Sequence, residues 1–240
     1  MNVIISNCRV QFTAEDIDFI VEALRPRVDT VDCLVKLLAD EDTRDQILDD
    51  ETLFHAVLEH RGCLKVSTHF YFYILVRQVL CRSGIKDRAV ADYVAEVLAE
   101  FSRSERMQYV PKGQGGPLNY FFEMLAALQN ADETTCFYIR THIGNQSLFM
   151  SGIFPDRIRH RAETKGFPDL RYYEELGRSN YRVARDHRLA RKYDLDHIFD
   201  ILSERFRETR KALNDLGDRL ISLSDDASVN HLLTSGKLGI

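Results

Sequence analysis

Apolar residues return every three or four positions along nearly the whole chain, and most segments with this rhythm open on Ser, Thr or Asp. That spacing puts the apolar side chains on one face of an α-helix, and the oxygen at the entry satisfies a backbone N–H that the helix leaves unpaired. Thr13 precedes Ile17, Ile20, Val21 and Leu24; Asp50 precedes Leu53, Phe54, Val57 and Leu58; Ser67 precedes the nearly continuous apolar stretch 68–81, closed by Gly84. Asp87 precedes Val90, Tyr93, Val94, Val97, Leu98 and Phe101, and Asp132 opens a helix to about residue 152. Further helices are predicted over residues 30–39, 43–48, 117–128, 156–166, 168–185 and 194–223, the last capped by Asp194. Residues 1–12 alternate only loosely and have no strand to pair with, so they read as an ordered extended arm. The expected fold is all-α, a multi-helix bundle of about ten helices with at most one short N-terminal extended segment.

Residues 105–117, ERMQYVPKGQGGP, hold two prolines and three glycines and read as a loop. Residues 1–223 are therefore expected as a single helical domain, or as two subdomains joined at that loop, ahead of a flexible tail, 224–240. The half before about residue 104 reads as scaffold.

With 45% apolar and 29% charged residues the chain belongs among folded proteins rather than disordered ones. Its net charge of −5 gives the whole molecule no attraction to nucleic acid or to a membrane. Cys8, Cys33, Cys63, Cys81 and Cys136 are scattered and never form a Cys-x-x-Cys pair, as expected of reduced thiols in a cytoplasmic protein. Residues 1–5 lack the basic start of a secretion signal, and no apolar run reaches the roughly 18 residues of a membrane span.

Catalytic signatures are missing: there is no Gly-x-Ser-x-Gly elbow, no phosphate-binding glycine loop and no His-Glu-x-x-His. His55, Glu59 and His60, and again Asp156, His160 and Glu163, have helical spacing, but the Glu-x-x-His pairs of a bundle metal site do not occur. No catalytic residue, metal ligand or cofactor is assigned.

Charge is concentrated instead. Residues 157–192 carry eleven Lys or Arg against five acids, a local +6 that leaves −11 for the remainder. At 100° per residue, Arg171, Arg178, Arg182 and Arg185 share one sector of a helix, while Tyr173, Gly177, Tyr181 and Ala184 lie opposite. A guanidinium offers a planar donor fork suited to carboxylate or phosphate. Arg171, Tyr172, Tyr173, Arg178, Tyr181, Arg182 and Arg185 are thus the candidate ligand- or partner-binding residues, unless the acidic remainder of the chain neutralises the stripe. Nucleic acid is the less favoured anion, because no recognition motif accompanies the charge. A second feature is the seam Leu195, Phe199, Leu202, Phe206, Thr209, Leu213, Leu216 and Leu220, stepping by four and three. It packs either within the bundle or against a partner or second copy through the 194–223 helix.

The block SLFMSGIFPDRI followed by YYEELGRSNY resembles an uncharacterised family of bacterial helical proteins, on Ser151, Gly152, Phe154, Tyr172, Tyr173, Gly177 and Tyr181. The resemblance implies a bacterial origin and a helical fold and transfers no catalytic residue. The functional expectation is a non-catalytic cytosolic interaction or regulatory protein with a basic Tyr/Arg surface. The alternatives are a helical enzyme or cofactor binder with a small-ligand pocket around His55, Glu59, His60 or Tyr172 to Tyr181, and a nucleic-acid binder.

Overall fold

The computed structural model describes residues 3–24, 36–59, 65–102, 118 and 120–223, with side chains described through Asp218. Among these residues the chain forms helices and no strand. In order they are α1 (Ala14–Leu24), α2 (Glu41–Leu48), α3 (Glu51–Leu58), α4 (Thr68–Arg82), α5 (Arg88–Phe101), α6 (Phe121–Ala127), α7 (Glu133–Ile153), α8 (Pro155–Lys165), α9 (Leu170–Arg185), α10 (Arg188–Lys192), α11 (Asp196–Glu204) and α12 (Phe206–Leu223). Residues 36–39 are also helical, and one 3₁₀ turn, Arg9–Gln11, lies in the N-terminal arm. The all-α class expected from the spacing is the class observed. The 105–117 loop, the 224–240 tail, His60 and the start of the helix placed at 30–39 lie outside the described residues.

The caps explain most of the boundaries. Asp50, Ser67, Asp87 and Asp132 each accept a backbone N–H from the first turn of the helix they precede, as their positions predicted. Asp40 does the same for α2 and Asp169 for α9. Each such bond contributes about 1 kcal/mol. Gly84, at φ +78, ends α4: its N–H donates to Cys81 and the next, of Ile85, to Leu80. This pair of bonds closes the helix end over the buried Leu80 and Ile85.

Asp194 departs from its predicted role. It stands at φ +55, and the N–H groups of Asp194 and Leu195 donate back to Arg191 and Ala190. Asp194 therefore closes the short α10 and caps nothing after it. The single helix expected over 194–223 is two, α11 and α12, broken at Arg205. The Arg205 guanidinium donates to the carbonyls of Ser83 and Gly84 at 3.1 and 2.9 Å, at the negative end of α4, and that docking fixes the break.

Helices α4, α5, α7 and α12 form the centre. The apolar circumference of α4 puts Phe70, Tyr73, Ile74, Leu75, Val76 and Leu80 in the interior, each fully buried. Helix α7 runs beneath α9 and α12, and small residues set the approach. A Cβ on Gly144 would stand 2.8 Å from the Tyr181 ring and one on Gly152 2.9 Å from Leu213, while Gly177 lies against Phe206. These three glycines thus serve helix crossings. Every described seam residue, Leu195, Phe199, Leu202, Phe206, Thr209, Leu213 and Leu216, is fully buried. Self-association through that seam is therefore not available in this fold, because the bundle itself covers it; Leu220 lies outside the described side chains. A smaller apolar cluster, Met124, Ile139 and Ile143 with Phe121 and Leu176 at its edge, seats α6 on α7 and α9. No described helix is long and apolar enough to cross a membrane.

Candidate interaction surface

Three helix ends meet where α6, α8 and α9 begin or stop. Gly166 adopts φ +65, ends α8 and lets the chain turn toward α9. Phe167, just past the turn, stays 43% exposed with the Arg161 guanidinium 4.1 Å over its ring. Asp169 then accepts the Tyr172 N–H at 3.0 Å and starts α9, which places Tyr172 and Tyr173 in its first turn. From the other side Phe121 packs edge-on against Tyr173, with ring centres 5.5 Å apart. Burial pushes the Tyr173 phenol up, and Arg161 and Arg157 oppose that rise, so both guanidinium charges bear on this ring.

The corner is apolar where the surface should be wet. Phe122 is 68% exposed, Tyr172 38% and Tyr120 37%, and Tyr120 and Phe122 stack with centres 5.4 Å apart. Arg161 lies over the Phe167 ring and, with Arg157, acts on the Tyr173 phenol; Arg171 adjoins Tyr172 in the sequence, Arg182 lies further along α9, and none of the four forms an ion pair among the described residues. Exposed aromatics beside arginine are the composition that recurs at the energetic centres of protein interfaces.

The stripe predicted on α9 divides. Arg171 and Arg182 are exposed as expected. Arg178 is used internally, its Nε donating to the Ser203 carbonyl and a terminal nitrogen to Glu175, both at 3.2 Å. Arg185 pairs with Asp186 at 3.0 Å and with Asp200 of α11. Tyr173 is half-buried under Phe121. Tyr181 is fully buried, so it presents nothing to an external ligand. Its hydroxyl donates to Asn145 Oδ1 at 2.7 Å, and that of Tyr93, on α5, donates to the same oxygen at 2.8 Å. Burial pushes both phenols far up, which keeps them protonated donors. This hub joins α5, α7 and α9 inside the core.

Sequence spacing did not single out three features. The first is the exposed corner itself, where Tyr120, Phe122 and Phe167 sit on short segments without a helical period long enough to show which side is out. The second is the Asn145 hub, whose signal was a polar residue one turn from Thr141 and His142 on an apolar helix. The third is the buried charge of the N-terminal half. There Arg77 holds Asp49 through two bonds of 2.7 and 3.0 Å, and Arg88 adds two more of 3.1 and 2.7 Å. His55, singled out with Glu59, is exposed and bonded to it at 2.9 Å. Among the described residues no group of three His, Cys, Asp or Glu could hold a metal ion. No protein-family model, curated protein or solved structure matches the chain.

Proposed function

We propose that the chain is a non-catalytic helical interaction protein whose working face is the corner built by Tyr120, Phe122, Arg157, Arg161, Phe167, Arg171 and Tyr172, with Arg182 on its flank. Its partner is a protein segment that brings carboxylates to the arginines and an apolar side chain to the rings. The observation that carries this reading is the coincidence of four exposed aromatic side chains with four arginines that form no ion pair among the described residues. Isolated exposed rings or isolated surface charges are ordinary; together they supply an anchor and an orienting field. The resemblance to bacterial helical proteins enters here as the proposed lineage, and a cytoplasmic location as the proposed setting.

The test is affinity capture from the cells that produce the chain, comparing the wild type with the Arg171→Glu, Arg182→Glu double variant and with Phe122→Ser. A protein retained by the wild type and lost from both variants supports the reading. The same set retained by all three contradicts it. Binding that passes to nucleic acid instead, with affinity falling steeply as salt rises, replaces it with a single-stranded nucleic-acid surface, for which stacked rings and arginine also serve.

A further inference from the structure

The path of α12 fixes where the chain leaves the bundle. Phe206, its first residue, lies against Gly177 of α9, and one turn on Arg210 donates to Glu174 at 2.7 Å. The two helices are therefore antiparallel, and α12 travels toward the start of α9 at Leu170. From Glu174 that start is only about 6 Å away, whereas α12 continues for about 20 Å beyond Arg210, to Leu223. On the way Asn214 donates to the carbonyls of Ser151 and Gly152 at 2.8 and 2.6 Å, in the last turn of α7. Gly217 then passes the Ile153 carbonyl, where a Cβ on it would stand 3.5 Å away, and α8 begins at Pro155. The end of α12 thus lies at the end of the bundle that carries α8, Phe167 and the first turn of α9.

Residues 224–240, SDDASVNHLLTSGKLGI, follow. Two acids come first, Asp225 and Asp226, and an apolar group comes next, Val229, Leu232 and Leu233. The corner has the same order. Arg157 and Arg161 stand one turn apart on α8, whose start adjoins α12, and the exposed rings of Phe167 and Tyr172 come after its far end. The 11 residues of α8 make a helix about 16 Å long, and residues 224–240 can span up to about 55 Å, so the tail has ample reach. Carboxylates on guanidinium groups and leucines on exposed rings are the contacts this corner is built to accept. A segment tethered beside its site is also present there at an effective concentration on the order of millimolar, so a modest affinity is enough.

We propose that residues 224–233 dock in cis on the corner, with Asp225 and Asp226 on Arg157 and Arg161 and with Leu232 and Leu233 on Phe167 and Tyr172. The inference rests on the reading of the corner as an interaction surface and adds its regulation: the tail competes with the partner protein for the same arginines and rings.

The test is photocrosslinking in the purified full chain, with a benzophenone amino acid in place of Phe167 and the linked peptides identified by mass spectrometry. Position 167 should link to residues 224–233 within one chain, so that a mixture of isotope-labelled and unlabelled copies gives no mixed pairs. Asp225→Lys with Asp226→Lys turns attraction into repulsion and should lower the yield about tenfold. Leu232→Ser with Leu233→Ser should lower it too, and either pair serves if the other fails to fold by circular dichroism. The proposal is overturned if position 167 links to none of residues 224–233, if the links join two copies, or if the folded tail variants keep the wild-type yield. In affinity capture the lysine pair should raise the amount of partner retained, and a tail link with unchanged capture of a corner-bound partner would overturn the competition. Purified protein contains no partner, so the two readings fail separately. A partner captured through the corner without any tail link removes the docking alone, and a tail link with no captured partner removes the interaction reading and leaves an internal contact.

Discussion

Two regions of the molecule hold arginines in contrasting ways. Around α2, α4 and α5, Arg9, Arg77 and Arg88 are drawn against Asp45, Asp49 and Asp92, and their donors are spent on neighbours within the chain. Around α6, α8 and α9, Arg157 and Arg161 are half-buried and Arg171 and Arg182 exposed, and none of the four forms an ion pair among the described residues. A charge removed from water must be satisfied where it sits, so the first set is structural. A charge left in water contributes little to stability, so the second set is free to serve a partner. Location and pairing, and not residue type, separate the two roles.

The contrast can be broken first at Asp16. This fully buried carboxylate accepts the Thr13 N–H at 2.7 Å, the Ser67 N–H at 2.6 Å and the Ser67 hydroxyl at 2.7 Å, joining the starts of α1 and α4. Asp16→Ala strands those donors and should lower stability by at least about 3 kcal/mol in urea unfolding. A loss under 1 kcal/mol would remove the N-terminal half from the structural column. Gly177→Ala comes next. The added methyl meets the Phe206 ring on one side and Ser147 at 3.1 Å on another, and overpacking of this kind destabilises by about 1–3 kcal/mol. An equally stable variant would show that the α7 and α9 crossing has slack.

Acid sharpens the comparison. Burial alone would raise the Asp49 carboxyl, but the Arg77 hydrogen bonds and the charges of Arg77 and Arg88 more than offset it and hold the group below its ordinary value. A depressed carboxyl stabilises the fold above its unfolded pKa, and the contribution disappears as pH falls through the lower folded value. Wild-type stability should thus drop below roughly pH 4, and Asp49→Asn should be less stable at neutral pH with a shallower loss in acid. Parallel curves for the two proteins would contradict that assignment. The smallest effect is expected at the corner, where Arg171→Glu, Arg182→Glu and Phe122→Ser should each leave thermal stability within about 0.5 kcal/mol.

How much of this was legible depends on the length over which a pattern repeats. The rhythm of α4, α5 and α7 spans several turns and is framed by Ser67, Asp87 and Asp132, so existence and start could both be read. The break at Arg205 could not, because it depends on two carbonyls more than a hundred residues earlier. The α9 period correctly turned Tyr181 and Gly177 inward and Arg171 and Arg182 outward. It gave no information about Asp200 or Ser203, the partners that withdraw Arg185 and Arg178 from the surface. The exposed rings of Tyr120, Phe122 and Phe167 come from the ends of short helices and one turn, where tertiary placement alone decides which way a side chain faces.

The proposed partner surface is the corner of α6, α8 and α9, and the paired charges of the N-terminal helices offer the contrasting face. Site-specific photocrosslinking in the producing cells tests it most directly, with a benzophenone amino acid in place of Phe122, Phe167 or, as the contrasting position, the exposed Glu59 of the N-terminal half. The expected result is one discrete adduct from positions 122 and 167, lost on Arg171→Glu, and none from position 59. Adducts of equal yield from both ends, or from position 59 alone, would contradict it.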